Sequence, residues 1–379
     1  MTSGAAAVPG WVLGVDVGGS GSRVALAPVR DSSATGSPDS GHGGMRVLHG
    51  SRVGIASRGS SIPEVVDALL DRAAAEWPGE WASVAAIAVG ATGAFTLIDD
   101  PHAVVRAIAA RRPGAVAALA TDAVTAHLGA LAGSAGAVVA VGTGSVALGT
   151  DLGSVWRRVD GWGHLLGDRG AGSWIGREGL EAAMRQFDGV STDGGALLAA
   201  AVESFGAPET WPSQLYTRND RAGVLGSFAG RVDALAGEGD PAAVRIMTDA
   251  GREVARTLVA ALDPRLPRVA SAVGGVFAAP AASTPDPGAA ATAHLGAPSA
   301  ASIPQPAPAA PGAGAASRGA TGAFTEAFAA AVREAHPPIE LRPPAGTPLD
   351  GAIRLARLLV SPTPPSGHPE HLWLALPAL

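Results

Sequence analysis

The residues Gly14 to Arg23 read GVDVGGSGSR, a run of apolar positions that breaks into glycine and serine. Glycines in a tight strand-to-strand turn let backbone N–H groups approach phosphate oxygens without Cβ obstruction. Gly18, Gly19, Ser20, Gly21 and Ser22 would supply those groups, with two hydroxyls among them. Asp16, at the strand end, could hold Mg²⁺ through water, since hard cations take oxygen ligands. No Gly-Lys-Ser/Thr leads into a helix here, which excludes a Walker loop. Arg23 to Val29 reads as a strand, which excludes a dinucleotide fingerprint. A second turn of this kind lies in Val138 to Asp151, where Gly142, Thr143, Gly144 and Ser145 stand between two apolar runs. Either turn alone is equally well a plain glycine turn. Two of them facing each other could grip a polyphosphate from both sides.

Three further segments carry candidate groups. Thr121-Asp122-Ala123 closes a strand and opens a helix. Asp122 there is either an N-cap or, in a cleft between phosphate turns, a general base for a hydroxyl. Gly161 to Leu180 reads GWGHLLGDRGAGSWIGREGL. Trp162 could stack on a sugar ring and Asp168 could accept from its hydroxyls. The alternative packs Trp162 and His164 in the core and has Asp168 cap the helix. Arg177 and Glu178 read as a helix-surface pair. Ala272 to Phe277 forms another strand-to-glycine turn, at Gly274 and Gly275.

The elements needed to hold these groups are legible in outline. Strands are expected at Trp11 to Asp16, Arg23 to Val29, Val84 to Val89, Ala115 to Ala120, Ala137 to Val141, Val146 to Thr150, Val269 to Val273 and Ile339 to Leu341. Helices are expected at Ile62 to Ala75, Ala103 to Arg111, Ala123 to Leu131, Ala171 to Met184, Leu197 to Ser204, Val224 to Ala236, Ala242 to Leu262, Thr325 to Glu334 and Leu349 to Leu359. Alternating strands and helices imply an α/β fold. A glycine hairpin opens each half, at Gly18 and at Gly142. The 379 residues suffice for two domains.

Composition narrows the function classes. A 47% hydrophobic, 16% charged chain is globular. A net charge of −6 leaves no basic surface for nucleic acid or acidic membrane. Cysteine is absent, so disulfides, zinc–thiolate sites and iron–sulfur clusters are excluded. The N-terminal segment lacks the charged and apolar regions of a signal peptide, and no membrane span is evident, so a cytoplasmic protein is expected.

Taken in order, these segments resemble the BadF/BadG/BcrA/BcrD ATPase family and its N-acetylglucosamine kinase members, within the sugar kinase, heat-shock protein and actin superfamily. The block GWGHLLGD is the most specific part. The resemblance implies two ribonuclease-H-like domains of the actin-like ATPase kind, with ATP in the cleft between. The expected limits are 10–122 and 123–360, with a disordered insertion at 278–322 and a peripheral tail at 361–379. It implies phosphate contact at Gly18 to Ser22 and at Gly142 to Ser145, and adenosine contact at Gly274 and Gly275. Asp122 becomes the catalytic base, and Thr92, Thr143, Gly144, Trp162 and Asp168 the sugar contacts. ATP and Mg²⁺ are the implied cofactors and a small sugar the partner, with a homodimer left open.

The implied activity is phosphorylation of the primary hydroxyl of an amino sugar, N-acetylglucosamine or glucosamine. A different sugar or polyol, and a nucleotide-binding regulator without catalysis, are the alternatives. The family's dehydratase activators hold an iron–sulfur cluster, which a chain without cysteine cannot. Departures from the family pattern fall at Gly21, in the first phosphate turn, and at Ser57, Val146 and Arg169, around the expected sugar pocket. Residues 278–322 are nearly all Ala, Pro, Gly, Ser and Thr, too poor in large apolar groups to repay the entropy of ordering. Deleting residues 281–318 is therefore expected to leave the melting temperature and activity unchanged, as thermal unfolding and steady-state assay would establish.

Overall fold

The computed structural model describes residues 10–18, 21–30, 44–51, 55–56, 59–277 and 322–376. It opens with strands β1 (Trp11–Gly18), β2 (Gly21–Pro28) and β3 (Arg46–Gly50), then the short pair β4 (Ile55–Ala56) and β5 (Gly59–Ser60). Helices α1 (Ile62–Glu76) and α2 (Pro78–Trp81) lead to β6 (Val84–Ala91). Helix α3 (Pro101–Arg111) leads to β7 (Val116–Thr121) and α4 (Asp122–Ala130). The plan then restarts with β8 (Gly136–Val141), β9 (Ser145–Thr150) and β10 (Trp156–Asp160). Helices α5 (Gly172–Phe187), α6 (Gly195–Phe205), α7 (Trp211–Tyr216), α8 (Arg221–Gly237) and α9 (Pro241–Ala261) precede β11 (Val269–Val273). The chain ends with α10 (Gly322–Arg333), β12 (Glu340–Arg342), α11 (Pro348–Leu359) and β13 (Leu372–Ala375).

Two mixed sheets result, ordered β13-β7-β6-β1-β2-β3 and β10-β9-β8-β11-β12. Each is built around an antiparallel hairpin, β1 with β2 and β8 with β9. Each hairpin's first strand also pairs in parallel with a later strand, β6 or β11. The two halves thus share one strand order, and β13 is an addition to the first.

Side-chain alternation along β1 assigns the layers. Leu13, Val15 and Val17 pack with Val65, Val66, Leu69 and Leu70 of α1. Val12 faces the other way, with Ala86, Ala88, Ala118 and Ala120, against Val124 and Leu128 of α4 and Ile353 and Leu355 of α11. In the second sheet Ala137, Val139 and Val141 meet α5, α8 and α9. Val138, Val269 and Val273 meet Ala126, Ala130 and Leu131 at the far side of α4. Helix α4 therefore lies between the sheets, and every residue from Ala123 to Ala130 is buried.

The small residues on this inner layer serve close approach. A Cβ on Gly129 would fall 2.1 Å from the Thr347 carbonyl oxygen, and one on Gly351 would fall 1.8 Å from that of Thr125. Helices α4 and α11 thus touch backbone to backbone. The start of α11 is fixed by a capping box, Thr347 with Asp350, and by Pro348 in the first turn.

The C-terminal region departs from the sequence expectation. Residues 361–379 were expected as a peripheral tail. Instead β13 pairs antiparallel with β7, with Leu372 opposite Ala120, and Trp373 is buried in the first core. The segment is short and follows a Pro-rich stretch, which hides it from any periodicity test. Helix α11, grouped by sequence with the second half, packs on the first sheet. Strands β3 and β10, half-exposed and interrupted by charge, also escaped the pattern. Of the 278–322 insertion, 278–321 lie outside the described residues, and Gly322 begins α10. Among the described residues no helix is long and apolar enough to cross a membrane.

Substituting Gly351 by Val should force α4 and α11 apart. Overpacking of this kind costs about 1–3 kcal/mol or more. Thermal unfolding is expected to show a clear loss of stability, whereas Gly223→Val, on open surface of α8, should lose only helix propensity.

Candidate active site

Parallel pairing brings the first group of site residues to one edge. Val17 lies opposite Ala91, and Ala91 opposite Thr121, so β1, β6 and β7 end together. The residues next in line are Gly18, Thr92 and Asp122. The Thr92 N–H donates to the Val17 carbonyl at 2.9 Å, which holds the turn after β6 against β1. Asp16 lies just inside this edge, and Arg23 of β2 donates to its carboxylate at 2.6 Å.

Asp122 is the first residue of α4, and its Oδ1 accepts the Ala123 N–H at 2.9 Å. Burial pushes its carboxyl up. Hydrogen bonds from the Thr92 hydroxyl and the Ala123 N–H oppose that, the nearby Asp16 adds to it, and Arg158 opposes it. Thr121, not Asp122, is the N-cap residue of α4, and no side chain caps the helix start, so the cap alternative for Asp122 is not the arrangement seen. One oxygen is engaged by the helix, while the group as a whole holds its proton more tightly than an ordinary aspartate, as suits proton transfer.

The second group lies on the other sheet. The hairpin turn closes with the Gly142 N–H donating to the Gly144 carbonyl at 2.8 Å. Its carbonyls then receive the start of α5: Gly172 N–H to Gly142 at 2.9 Å and Ser173 N–H to Thr143 at 3.0 Å. The Oγ atoms of Ser145 and Ser173 are buried with no hydrogen-bond partner among the described residues. Buried polar atoms are ordinarily paired, so such groups suit a ligand.

Asp168 points at this turn and does not cap α5. The Ser145 N–H donates to its Oδ1 at 3.3 Å, and a Cβ on Gly144 would fall 2.9 Å from its Oδ2. Glycine at 144 is therefore required by the carboxylate's approach. Burial raises the Asp168 carboxyl from 3.8 to about 6, with Asp160 and Asp122 adding to the rise.

Asp160 and Arg158, which the sequence reading passed over, organise this loop. Asp160 has a φ of 63° and Asp168 one of 54°. The left-handed region is open to aspartate at modest cost. Asp160 accepts the N–H groups of Gly161 at 2.8 Å, Asp168 at 2.8 Å and Arg169 at 3.0 Å. The loop from Gly161 to Gly167 is thereby closed on one carboxylate. Arg158 donates to the Gly161 carbonyl at 2.5 Å and lies over the Trp162 ring at 4.5 Å. It also lies 5.3 Å from the Phe95 ring, which belongs to the turn beyond Thr92 on the first sheet. The only signal for either residue was its place just before Gly-Trp-Gly.

Trp162 is 58% exposed, so the core alternative for it is removed. Gly274, with a φ of 115°, lies against the Val141 carbonyl, and Gly275 has open space around it. That places the third glycine turn beside the second. Ser22 turns away from the expected phosphate site: it is buried, and its hydroxyl donates to the Ser51 carbonyl at 2.6 Å. Gly18 and Gly21 face each other as the last pair of the hairpin. Gly19, Ser20 and Ser57 lie outside the described residues.

Two glycine hairpins on two like sheets, with carboxylates between them, define the two-domain fold of actin-like ATPases and sugar kinases. Residues 13–284 match the model of the BadF/BadG/BcrA/BcrD ATPase family, and the chain belongs to that family. An N-acetylmuramic acid/N-acetylglucosamine kinase from Clostridium acetobutylicum is 31% identical over 137 residues, covering 35% of this chain and 44% of that protein. The match thus spans less than half of that relative's length. The fold is similar to that of a candidate N-acetylglucosamine kinase from Chromobacterium violaceum, with a TM-score of 0.58 and 21% identity over 91% of this chain and 98% of that one. A candidate N-acetylglucosamine kinase from Porphyromonas gingivalis gives 0.59 and 15% over 90% and 97%.

Asp168 makes a stability prediction whose sign can be worked out. Its folded state holds a proton more tightly than the unfolded chain does, so stability falls as pH rises from about 4 through about 6. Asp168→Asn keeps the acceptor for Ser145 and tolerates the positive φ. It should raise the unliganded protein's stability at pH 8 by about 1 kcal/mol, less than the full displacement implies because the group keeps some contact with water. The gain should vanish towards pH 4. Melting temperatures of the two proteins across this range check it.

Proposed function

We propose that this chain is an ATP-dependent kinase that phosphorylates the primary hydroxyl of an amino sugar, with N-acetylglucosamine or glucosamine as acceptor. The observation that carries the reading is the pair of carboxylates presented from the two sheets. Asp122, with Thr92 and Asp16, stands at the first sheet's edge, and Asp168 stands against Gly144 and Ser145 of the second. The named relatives support the substrate class.

In this reading Asp168 accepts sugar hydroxyls, which orients the ring beside Trp162. Thr143 and Gly144 border the same pocket. Asp122 orients the acceptor hydroxyl and takes its proton as the bond to phosphorus forms. The second hairpin, Gly142 to Ser145, and the first, at Gly18 and Gly21, hold the nucleotide's phosphates, with Gly274 and Gly275 at the adenosine. A magnesium ion would neutralise charge on the phosphates, and Asp16, a single hard carboxylate, fits one held through water. Positioning and neutralisation are most of what phosphoryl transfer asks of a protein.

Val146 packs into the core between the sheets and contacts the loop at Gly161, and Arg169 is exposed with its N–H on Asp160. Neither departure from the family pattern removes a group used above.

Release of ADP across a panel of hexoses and amino sugars tests the reading. Turnover is expected with an amino sugar. Turnover with another sugar or polyol would reassign the substrate, and none with any acceptor would favour a nucleotide-binding regulator. Asp122→Asn should lose about 10²–10⁴-fold in kcat while retaining ATP binding. The acid limb of kcat/KM should lie above the usual aspartate range, because the base must be ionised and burial raises its carboxyl.

A further inference from the structure

The C-terminal strand brings an aromatic stack to the edge where Asp122 stands. His371, immediately before β13, accepts the Thr121 N–H on its carbonyl at 3.1 Å. Thr121 is the residue before Asp122. The turn that carries His371 is closed by the Leu372 N–H to His368 carbonyl bond at 3.1 Å and its reverse, His368 N–H to Leu372, at 2.7 Å. The ring of His371 is 2% exposed and lies 4.8 Å from the His368 ring, at 20°. Both rings stack on Trp156 of β10, at 5.7 Å for His371 and 5.1 Å for His368. Phe95 closes the other side of His371 at 6.4 Å.

Trp156, Arg158 and Asp160 alternate along β10 and so share a face. That face spans the seam. Trp156 meets the C-terminal turn, Arg158 meets Phe95, and Asp160 closes the Asp168 loop. The imidazole of His371 is held by ring stacking on Trp156 and His368, and its Nδ1 has no hydrogen-bond partner among the described residues.

We propose that His371 is a positioning residue for the reaction, tying the backbone that presents Asp122 to β10 of the second sheet through its stack on Trp156. The inference rests on Asp122 being the base. When the stack is intact, the edge of the first sheet and the Asp168 loop keep a fixed relation, so acceptor and base are held in register. Phosphoryl transfer is sensitive to misplacement, and a shift of about 1 Å can cost about 10²-fold.

The test is a kinetic cycle on the full chain, with folded fraction measured beside each assay. His371→Ala should lower kcat by about 10–100-fold while leaving both KM values nearly unchanged. His371→Phe, which keeps the stack, should recover most of that loss. Trp156→Leu, which removes the opposite face, should reproduce the loss even if His371→Ala folds poorly. Because His371 acts through Asp122, the double variant with Asp122→Asn should be no slower than Asp122→Asn alone. Normal kcat in a folded His371→Ala protein, or additive losses in the double variant, would overturn the proposal and leave His371 a packing residue. Wild-type turnover by Asp122→Asn would instead overturn the base itself, and this inference with it.

Discussion

The burial of helix α4 on every side is the constraint from which the rest follows. A helix that touches two sheets and another helix leaves no exposed stripe, so its sequence, DAVTAHLGA, is mostly small and apolar, and its buried Thr125 and His127 bond the carbonyls of Asp122 and Gly136. The backbone-to-backbone contact at Gly129 and Gly351 sets how near α11 may come, and hence how near the first sheet lies. Asp122 begins this helix, so its position is fixed by packing that extends through the whole molecule. A carboxylate on a surface loop could wander. This one has its oxygen engaged by the helix start and its main chain continuous with a buried rod.

The site is built at an energetic cost that the same packing sustains. Asp122 and Asp168 are both displaced upward by burial; Asp16 adds to the rise at Asp122, and Asp160 and Asp122 add to that at Asp168. Arg158 offsets part of the charge without forming an ion pair among the described residues. Carboxylates displaced in this way cluster at functional sites, and in the function proposed above sugar hydroxyls and a neutralised polyphosphate would supply what the protein withholds.

How much was legible in sequence depended on whether the signal was local. The glycine turns at Gly18 and Gly142 were visible because the need for small residues is written at those positions. The long helices were visible through periodicity, and α9 came within a residue of its expected ends. Asp122 and Asp168 could be singled out because each stands where a strand or loop meets a helix. Asp160 and Arg158 were missed because their roles exist only once the loop folds back on them. Ser22 was misplaced because a hydroxyl in a turn looks alike whether it faces a ligand or, as here, the Ser51 carbonyl. The C-terminal strand was missed because its partner, β7, is remote in sequence, and a four-residue edge strand carries no period of its own.

That remoteness has a consequence for how the protein is made. Until Leu372 reaches Ala120, β7 is an open edge of a mixed sheet, with unpaired backbone groups facing solvent. In vectorial synthesis the first sheet can assemble β1, β6 and β7 early, yet β13 is translated only after every strand of the second sheet. Helix α11, which covers the same sheet's inner face, is also late. The N-terminal half therefore spends the interval with an exposed edge and an uncovered apolar face, the state in which chains most readily pair with one another. The residues that finish the sheet edge beside Asp122 are also those that end its exposure to aggregation.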